Sequence, residues 1–209
     1  MVTVQIEPTL AQEFPEIYIS TREVDVKVRQ SRNLEELVKE LRSSINYTLE
    51  NLKENRVVKS LRDFFWKIGV DPTRVRPTSE ALVRRILGGS SFPLINNVVD
   101  AGNLASAETL IPIGLYDLDK IVGEPVLRFA RQGEEFIDFT GRITKLEPRS
   151  IVLSDDVGII HVFPYRDSLR TMIGWSTKRV LIVAYGVEGI PKELVEHAAD
   201  KVIRYLRLL

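Results

Sequence analysis

The sequence contains no cysteine, which removes disulfides and thiolate metal ligands from any account of its chemistry. It holds two histidines, His161 and His197, so one chain cannot assemble a multi-histidine metal site. No spacing of carboxylates asks for a held Mg²⁺, and neither a metal nor another cofactor is expected. Surplus charge is missing too, since 29 basic residues meet 29 acidic ones. Tight grip on nucleic acid through phosphate neutralisation usually needs a clearly basic protein. RNA can therefore be held here only by a local patch or a specific pocket. No apolar run approaches the ~18 residues of a membrane span. The opening Met1-Val-Thr-Val-Gln-Ile-Glu lacks the basic lead, apolar core and cleavage site of a signal peptide. A cytoplasmic protein with no membrane partner is expected.

What is present reads as an ordinary globular chain. Its 209 residues, 44% of them hydrophobic, suffice for one compact core. Residues 1–60 are expected to form a strand-plus-helix extension packed on the same core as a module over 61–209. Segments 2–6 and 17–28 alternate apolar and polar residues like half-buried strands, with Pro8 and Pro15 breaking the chain between them. The spacing of Leu34, Leu37, Val38, Leu41, Ile45, Leu49 and Leu52 predicts one helix, with Asn33 as its N-cap. Leu61, Phe64, Phe65 and Ile68 predict a second helix closed by Gly69, and Phe64-Phe65-Trp66 reads as core. Thr78 and Ser79 can cap a third helix that ends at Gly88-Gly89. Short strands follow at 126–131, 135–140, 151–154, 158–163 and 179–185, and Pro191 opens a last helix. Helices, then strands, then a closing helix define an α+β fold with a mixed or antiparallel sheet and flanking helices.

Two constellations can carry chemistry. The first packs Asn96, Asn97, Asp100, Gly102 and Asn103 among Val, Leu and Ala, and leads to Pro112-Ile-Gly-Leu-Tyr-Asp117. Polar groups so placed cost free energy if buried unpaired. They form either a turn corner stitched by Asn97 and Asp100 or the wall of a pocket that holds something polar. The second runs from Asp155-Asp156 through His161 to Tyr165-Arg166-Asp167-Ser168 and Thr171. Arg166 can hold a carboxylate or phosphate through its planar fork and Asp167 can fix an ammonium, unless the two simply pair on the surface. His161 alternates with Ile160 and Val162, which favours a solvent-side or satisfied histidine over a base. His197 reads as surface. Arg84-Arg85, with Arg74 and Arg76 upstream, is the densest basic spot: a phosphate contact or a solvated helix face.

The run Asn96-Asn97-Val98-Val99-Asp100-Ala101-Gly102-Asn103 with Pro112-Ile113-Gly114-Leu115-Tyr116-Asp117 resembles the editing domain of the phenylalanyl-tRNA synthetase β subunit. That family carries N-x-V-V-D-x-T-N followed by P-x-H-A-F-D, at the same separation. The family Thr is Gly102 here and the family His is Gly114. The passage Gly69-Val-Asp-Pro-Thr73 and Pro77-Thr-Ser-Glu-Ala-Leu82 resembles stand-alone relatives of that domain, as does Arg166-Asp167-Ser168 followed by Thr171. The resemblance implies the editing-domain fold over roughly residues 69–185 and a tRNA or aminoacyl-tRNA partner. It implies a site in which Asn103, Gly102 and Thr171 serve catalysis. Asn97, Asp100, Gly114, Asp156, Arg166 and Asp167 would contact substrate, and Arg84 and Arg85 the RNA. A complete synthetase is not expected in 209 residues. Three activities stay open: ester hydrolysis on mischarged tRNA, recognition without chemistry, or an enzyme on a small amino-acid-like ligand such as a free amino acid. Oligomeric state is not legible.

Overall fold

The structure, a computed structural model, describes residues 2–209. In chain order its elements are β1 (Gln5–Ile6), α1 (Pro8–Glu13), β2 (Tyr18–Asp25), α2 (Leu34–Ser44), α3 (Arg56–Lys67), α4 (Thr78–Leu87) and α5 (Asn97–Thr109). Then come β3 (Ile113–Asp117), β4 (Val126–Phe129), β5 (Glu135–Ile137), β6 (Ile143–Lys145), β7 (Ile151–Ser154), β8 (Ile159–Val162), β9 (Arg166–Asp167), β10 (Arg179–Gly186) and α6 (Lys192–Leu208). Short 3₁₀ turns lie at Leu52–Glu54 and Leu118–Lys120. The fold is α+β.

β10 is the central strand of a three-stranded antiparallel sheet, flanked by β2 and β3. Its run Val180-Leu-Ile-Val-Ala-Tyr185 is apolar without alternation because both faces are covered. A five-stranded mixed sheet runs β1-β4-β7-β8-β9, with β1 and β4 parallel and the other pairs antiparallel. β5 and β6 form a separate hairpin. The first 60 residues supply an outer strand to each of the larger sheets, β1 to one and β2 to the other. α6 packs on β2, β10 and α5, and α5 packs on β3 and α4.

α5 is the organising element, and a helix stands where a turn corner was one of two expectations. Asn96 caps it: its Oδ1 accepts from the amides of Val98 and Val99 at 3.1 and 3.0 Å. Helix α5 is buried nearly all round, which is why no apolar stripe is visible, and small Ala, Gly and Ser stand among its Val and Leu. Leu110 ends it in the left-handed region, at φ 63°. Asn96→Ala is expected to lower stability by about 1 kcal/mol, read as a shift of the urea midpoint at unchanged slope.

Several local expectations need correction. The long helix predicted through Leu52 stops at Ser44. Ser43 and Ser44 bond back to carbonyls of α2, and Thr48 and Asn51 exchange bonds in a turn, so hydroxyl and amide side chains take over from the helical ladder. Leu52 is nonetheless core: the spacing reported burial, not continuity. Asn33 sits in the left-handed region and its side chain caps nothing. Pro77, not Thr78 or Ser79, is the residue before α4, and no side chain caps that end. Pro8 opens the short α1, where its missing N–H is tolerated, instead of breaking the chain. Phe64 and Phe65 are buried, but Trp66 is 58% exposed. His197 is exposed, as expected.

Candidate functional site

A cavity of about 370 Å³ opens between α4, α5, β3, β8 and β10, within the ~300–1,000 Å³ range of small-molecule sites. Its wall is mostly apolar, built by residues such as Leu82, Ile95, Val99, Leu115, Met172 and Ile173. The polar groups on it are Thr78, Asn103, His161, Asp167 and the phenols of Tyr165 and Tyr185. Among the described residues that line it there is no Lys or Arg.

The periodicity of α5 explains which of its residues reach the cavity. Val99, Gly102 and Asn103 are three and four apart, so they share one helical face and all line the cavity. Asn97 and Asp100 lie outside that lining and bind chain instead. Asn97 Oδ1 accepts from the Arg29 amide at 2.9 Å and its Nδ2 donates to Lys27 O at 3.3 Å. Asp100 accepts from the Ser31 hydroxyl at 2.5 Å and the Ile95 amide at 3.0 Å. These two side chains fasten residues 27–31 to the start of the helix. Burial pushes the Asp100 carboxyl up, and the Ser31 and Ile95 bonds pull the other way without cancelling it.

The two glycines that depart from the family pattern are packed against neighbours. A Cβ on Gly102 would stand 2.5 Å from Leu115 Cδ1. A Cβ on Gly114 would stand 2.0 Å from the Tyr116 hydroxyl, two residues along the same face of β3. Tyr116 thus fills the room that a side chain at 114 would need. Its hydroxyl lies 2.8 Å from that of Tyr185, with both rings buried. Burial is the first cause that raises both phenols well above their ordinary range, and the nearby Asp167 carboxylate adds to it.

Residues 161 to 167 form a tight antiparallel unit. β8 and β9 pair with His161 directly opposite Asp167, around a turn through Phe163, Pro164 and Tyr165. His161 Nδ1 lies 2.8 Å from Asp167 Oδ1. The imidazole stacks on Tyr185 at 5.2 Å and 13° between planes. Its Nε2 is buried with no partner. His161 is 5% exposed, so of the two expectations, solvent-side or satisfied, the first does not hold and the second holds at Nδ1 alone. All four residues of β8 are buried, because the three-stranded sheet covers the face that alternation assigned to solvent.

The remaining expected site residues fall elsewhere. Arg166 lies over the Tyr165 ring at 5.8 Å and 3.6 Å from Asp138, beside the cavity and not paired to Asp167. Thr171 is fully buried; its carbonyl accepts from the Asp117 amide at 2.8 Å, and its hydroxyl has no partner. Asp156 is exposed in the β7–β8 turn, against Gly123 and away from the cavity. Arg84 is engaged inside the fold, donating to Glu80 at 2.8 Å. Arg85 is exposed at the end of α4. The structure therefore gathers Gly102, Asn103 and Asp167 in one cavity and adds His161, Tyr185 and Thr78.

An α+β domain with a mixed sheet, flanking helices and a cavity against a buried helix is the class that these observations define. The fold matches the N-terminal fragment of the phenylalanyl-tRNA synthetase beta-subunit from Pyrococcus horikoshii, with a TM-score of 0.52 and 16% identity over 99% of this chain and 48% of that one. The B3/4 domain model matches residues 60–207, and the chain belongs to that family. The phenylalanine-tRNA ligase beta subunit of Mycoplasma genitalium is 33% identical over 119 residues, 57% of this chain and 14% of that protein. The same subunit from Leifsonia xyli subsp. xyli is 31% identical over 128 residues, 61% of this chain and 15% of that protein. The chain thus spans about one seventh of the length of these curated relatives. No helix among the described residues is long and apolar enough to cross a membrane.

Proposed function

We propose that this B3/4 domain recognises the aminoacyl end of a charged tRNA and hydrolyses the ester in the cavity beside α5. The observation that supports it most is that Asn103 and Gly102 line the same cavity as the His161–Asp167 pair. The carboxamide of Asn103 offers both a donor and an acceptor to an ester or a ribose hydroxyl. Gly102 lets Leu115 of β3 pack directly on the helix beside Asn103, which closes the apolar wall at that point. The apolar wall suits an amino-acid side chain. Arg166 beside the cavity and the exposed Arg85 on α4 are the guanidinium groups proposed to meet phosphate.

Asn103→Ala is expected to weaken binding of tyrosyl- or phenylalanyl-tRNA about 5- to 30-fold, the loss of one or two hydrogen bonds. Binding of uncharged tRNA should be unaffected. Filter binding with charged and uncharged tRNA in competition checks both. Equal affinity for the two forms in the wild type would sink the reading.

A second reading is a domain for a free amine of amino-acid-like size. The lining holds a carboxylate that suits an ammonium, and no cation to meet a tRNA phosphate. Calorimetry with free aromatic amino acids separates the two readings.

A further inference from the structure

We infer that His161 is the proton acceptor for ester hydrolysis in this cavity, with Asp167 as the residue that positions it. The inference rests on the proposed reading of the site and adds to it the group that activates water. Three observations carry it. Nδ1 faces the Asp167 carboxylate at 2.8 Å, and an ionised carboxylate can only accept. Nδ1 therefore carries the ring proton in the neutral imidazole, and Nε2 is left as a bare lone pair. That lone pair is the one polar atom of the ring without a partner, and it is buried in a residue that lines the cavity. A buried acceptor left unpaired costs free energy, which a donor admitted beside the ring by a small shift of the cavity wall would recover. Finally, the stack on Tyr185 and the register of β8 against β9 hold the ring plane, so little ordering remains for the reaction itself.

The arrangement also answers the departure at position 114. The pattern that this chain resembles presents a histidine from β3, in the three-stranded sheet. Here Tyr116 occupies that room, and an imidazole reaches the cavity from β8, in the five-stranded sheet. The step balances. Nε2 takes a proton from water as the oxygen adds to the ester carbonyl carbon. The tetrahedral intermediate then expels the ribose oxygen, which receives that proton from the imidazolium. The Asp167 carboxylate stabilises the imidazolium through Nδ1–H in between.

The test uses the full chain with tyrosyl-tRNA and phenylalanyl-tRNA, and p-nitrophenyl acetate as an ester that needs no tRNA. His161→Gln is expected to lower kcat about 10²- to 10⁴-fold, with KM within about threefold. Asp167→Asn should lower kcat about tenfold or more at similar KM. His161→Ala should regain part of its activity with added imidazole, which a packing role would not produce. Thermal melts of each variant separate loss of folding from loss of chemistry.

If the wild type hydrolyses the esters and His161→Gln keeps its rate, the assignment fails while the tRNA reading stands. Charged tRNA bound but no ester cleaved, p-nitrophenyl acetate included, also overturns the assignment and leaves a reader. No tRNA binding, but p-nitrophenyl acetate cleavage that depends on His161, supports the assignment and sinks the tRNA reading. No hydrolysis and no binding overturns both.

Discussion

Glu80→Ala is expected to destabilise the fold by about 3–5 kcal/mol, the loss seen when one partner of a buried ion pair is removed. Glu80 lies on α4 and is 0% exposed. It accepts two bonds from Arg62 of α3, both at 2.8 Å, and one from Arg84 of its own helix at 2.8 Å. Taking the carboxylate away leaves two mostly buried guanidinium groups without their counter-charge. Alanine is the best helix former, so helix propensity does not mask the loss. For a domain of this size, the melting temperature should fall by roughly 6–20 °C. Since α4 also brings Thr78 and Leu82 to the cavity wall, ligand binding should weaken with it.

The pH dependence distinguishes this ion pair from simple loss of packing. Burial alone would push the Glu80 carboxyl up, but the Arg62 and Arg84 bonds more than reverse it, and it titrates below its ordinary value of 4.5. A carboxyl depressed in the folded state binds protons more weakly there than in the unfolded chain. Its stabilising effect is therefore complete above about 4.5 and lost as pH falls through the lower folded value. The stability gap between wild type and Glu80→Ala should be constant from neutrality down to that point and shrink below it. Denaturant titrations at a series of pH values measure the gap. A gap that does not move with acid would mean that packing, not charge, holds α3 to α4.

How much of this was legible before the fold was known depended on whether burial was one-sided. α3 and α6 each bury one stripe, and their apolar spacing marked them. β10 read as a strand from its unbroken apolar run. α5 did not read as a helix, because burial on nearly every side leaves no stripe, and its Asn, Asp and Gly residues are poor helix formers. Its polar cluster was recognised as important, yet the side chains at its start turned out to divide by helical face. Asn103 and Gly102 reach the cavity, while Asn97 and Asp100 fasten residues 27–31. No one-dimensional pattern separates those faces until the helix itself is known.

The burial of His161 was hidden for a related reason. Period-two alternation puts it opposite Ile160 and Val162, and that inference assumes that one face of the strand meets water. β8 has no such face. A signal did exist: Pro164 between two short strands marks a turn, and a turn there sets His161 opposite Asp167. Reading the hairpin would have paired the imidazole with its carboxylate. The stack on Tyr185 depends on the approach of two different sheets, and nothing local encodes it.

Gly114→His, which writes the family residue back into this chain, is expected to lower stability by about 3 kcal/mol or more without raising hydrolysis. Even a methyl group at 114 would meet the Tyr116 hydroxyl at 2.0 Å, and Tyr116 is fully buried. An imidazole must therefore expel the phenol, which breaks its 2.8 Å contact with Tyr185 and leaves the Tyr185 hydroxyl buried without that partner. Tyr185, which would lose that contact, is also the ring on which His161 stacks, so the support of the His161 imidazole would loosen as the new one arrives. Position 114 and position 116 should then be coupled strongly. Gly114→His combined with Tyr116→Ala frees the room and should recover part of the stability that the single change loses, against the sum of the two single effects. A double-mutant cycle on thermal and urea unfolding measures this. If Gly114→His alone melts like the wild type, Tyr116 moves freely, and the phenol is not what keeps the family histidine out. If the cycle shows the coupling, the glycine at 114 is a consequence of where Tyr116 sits.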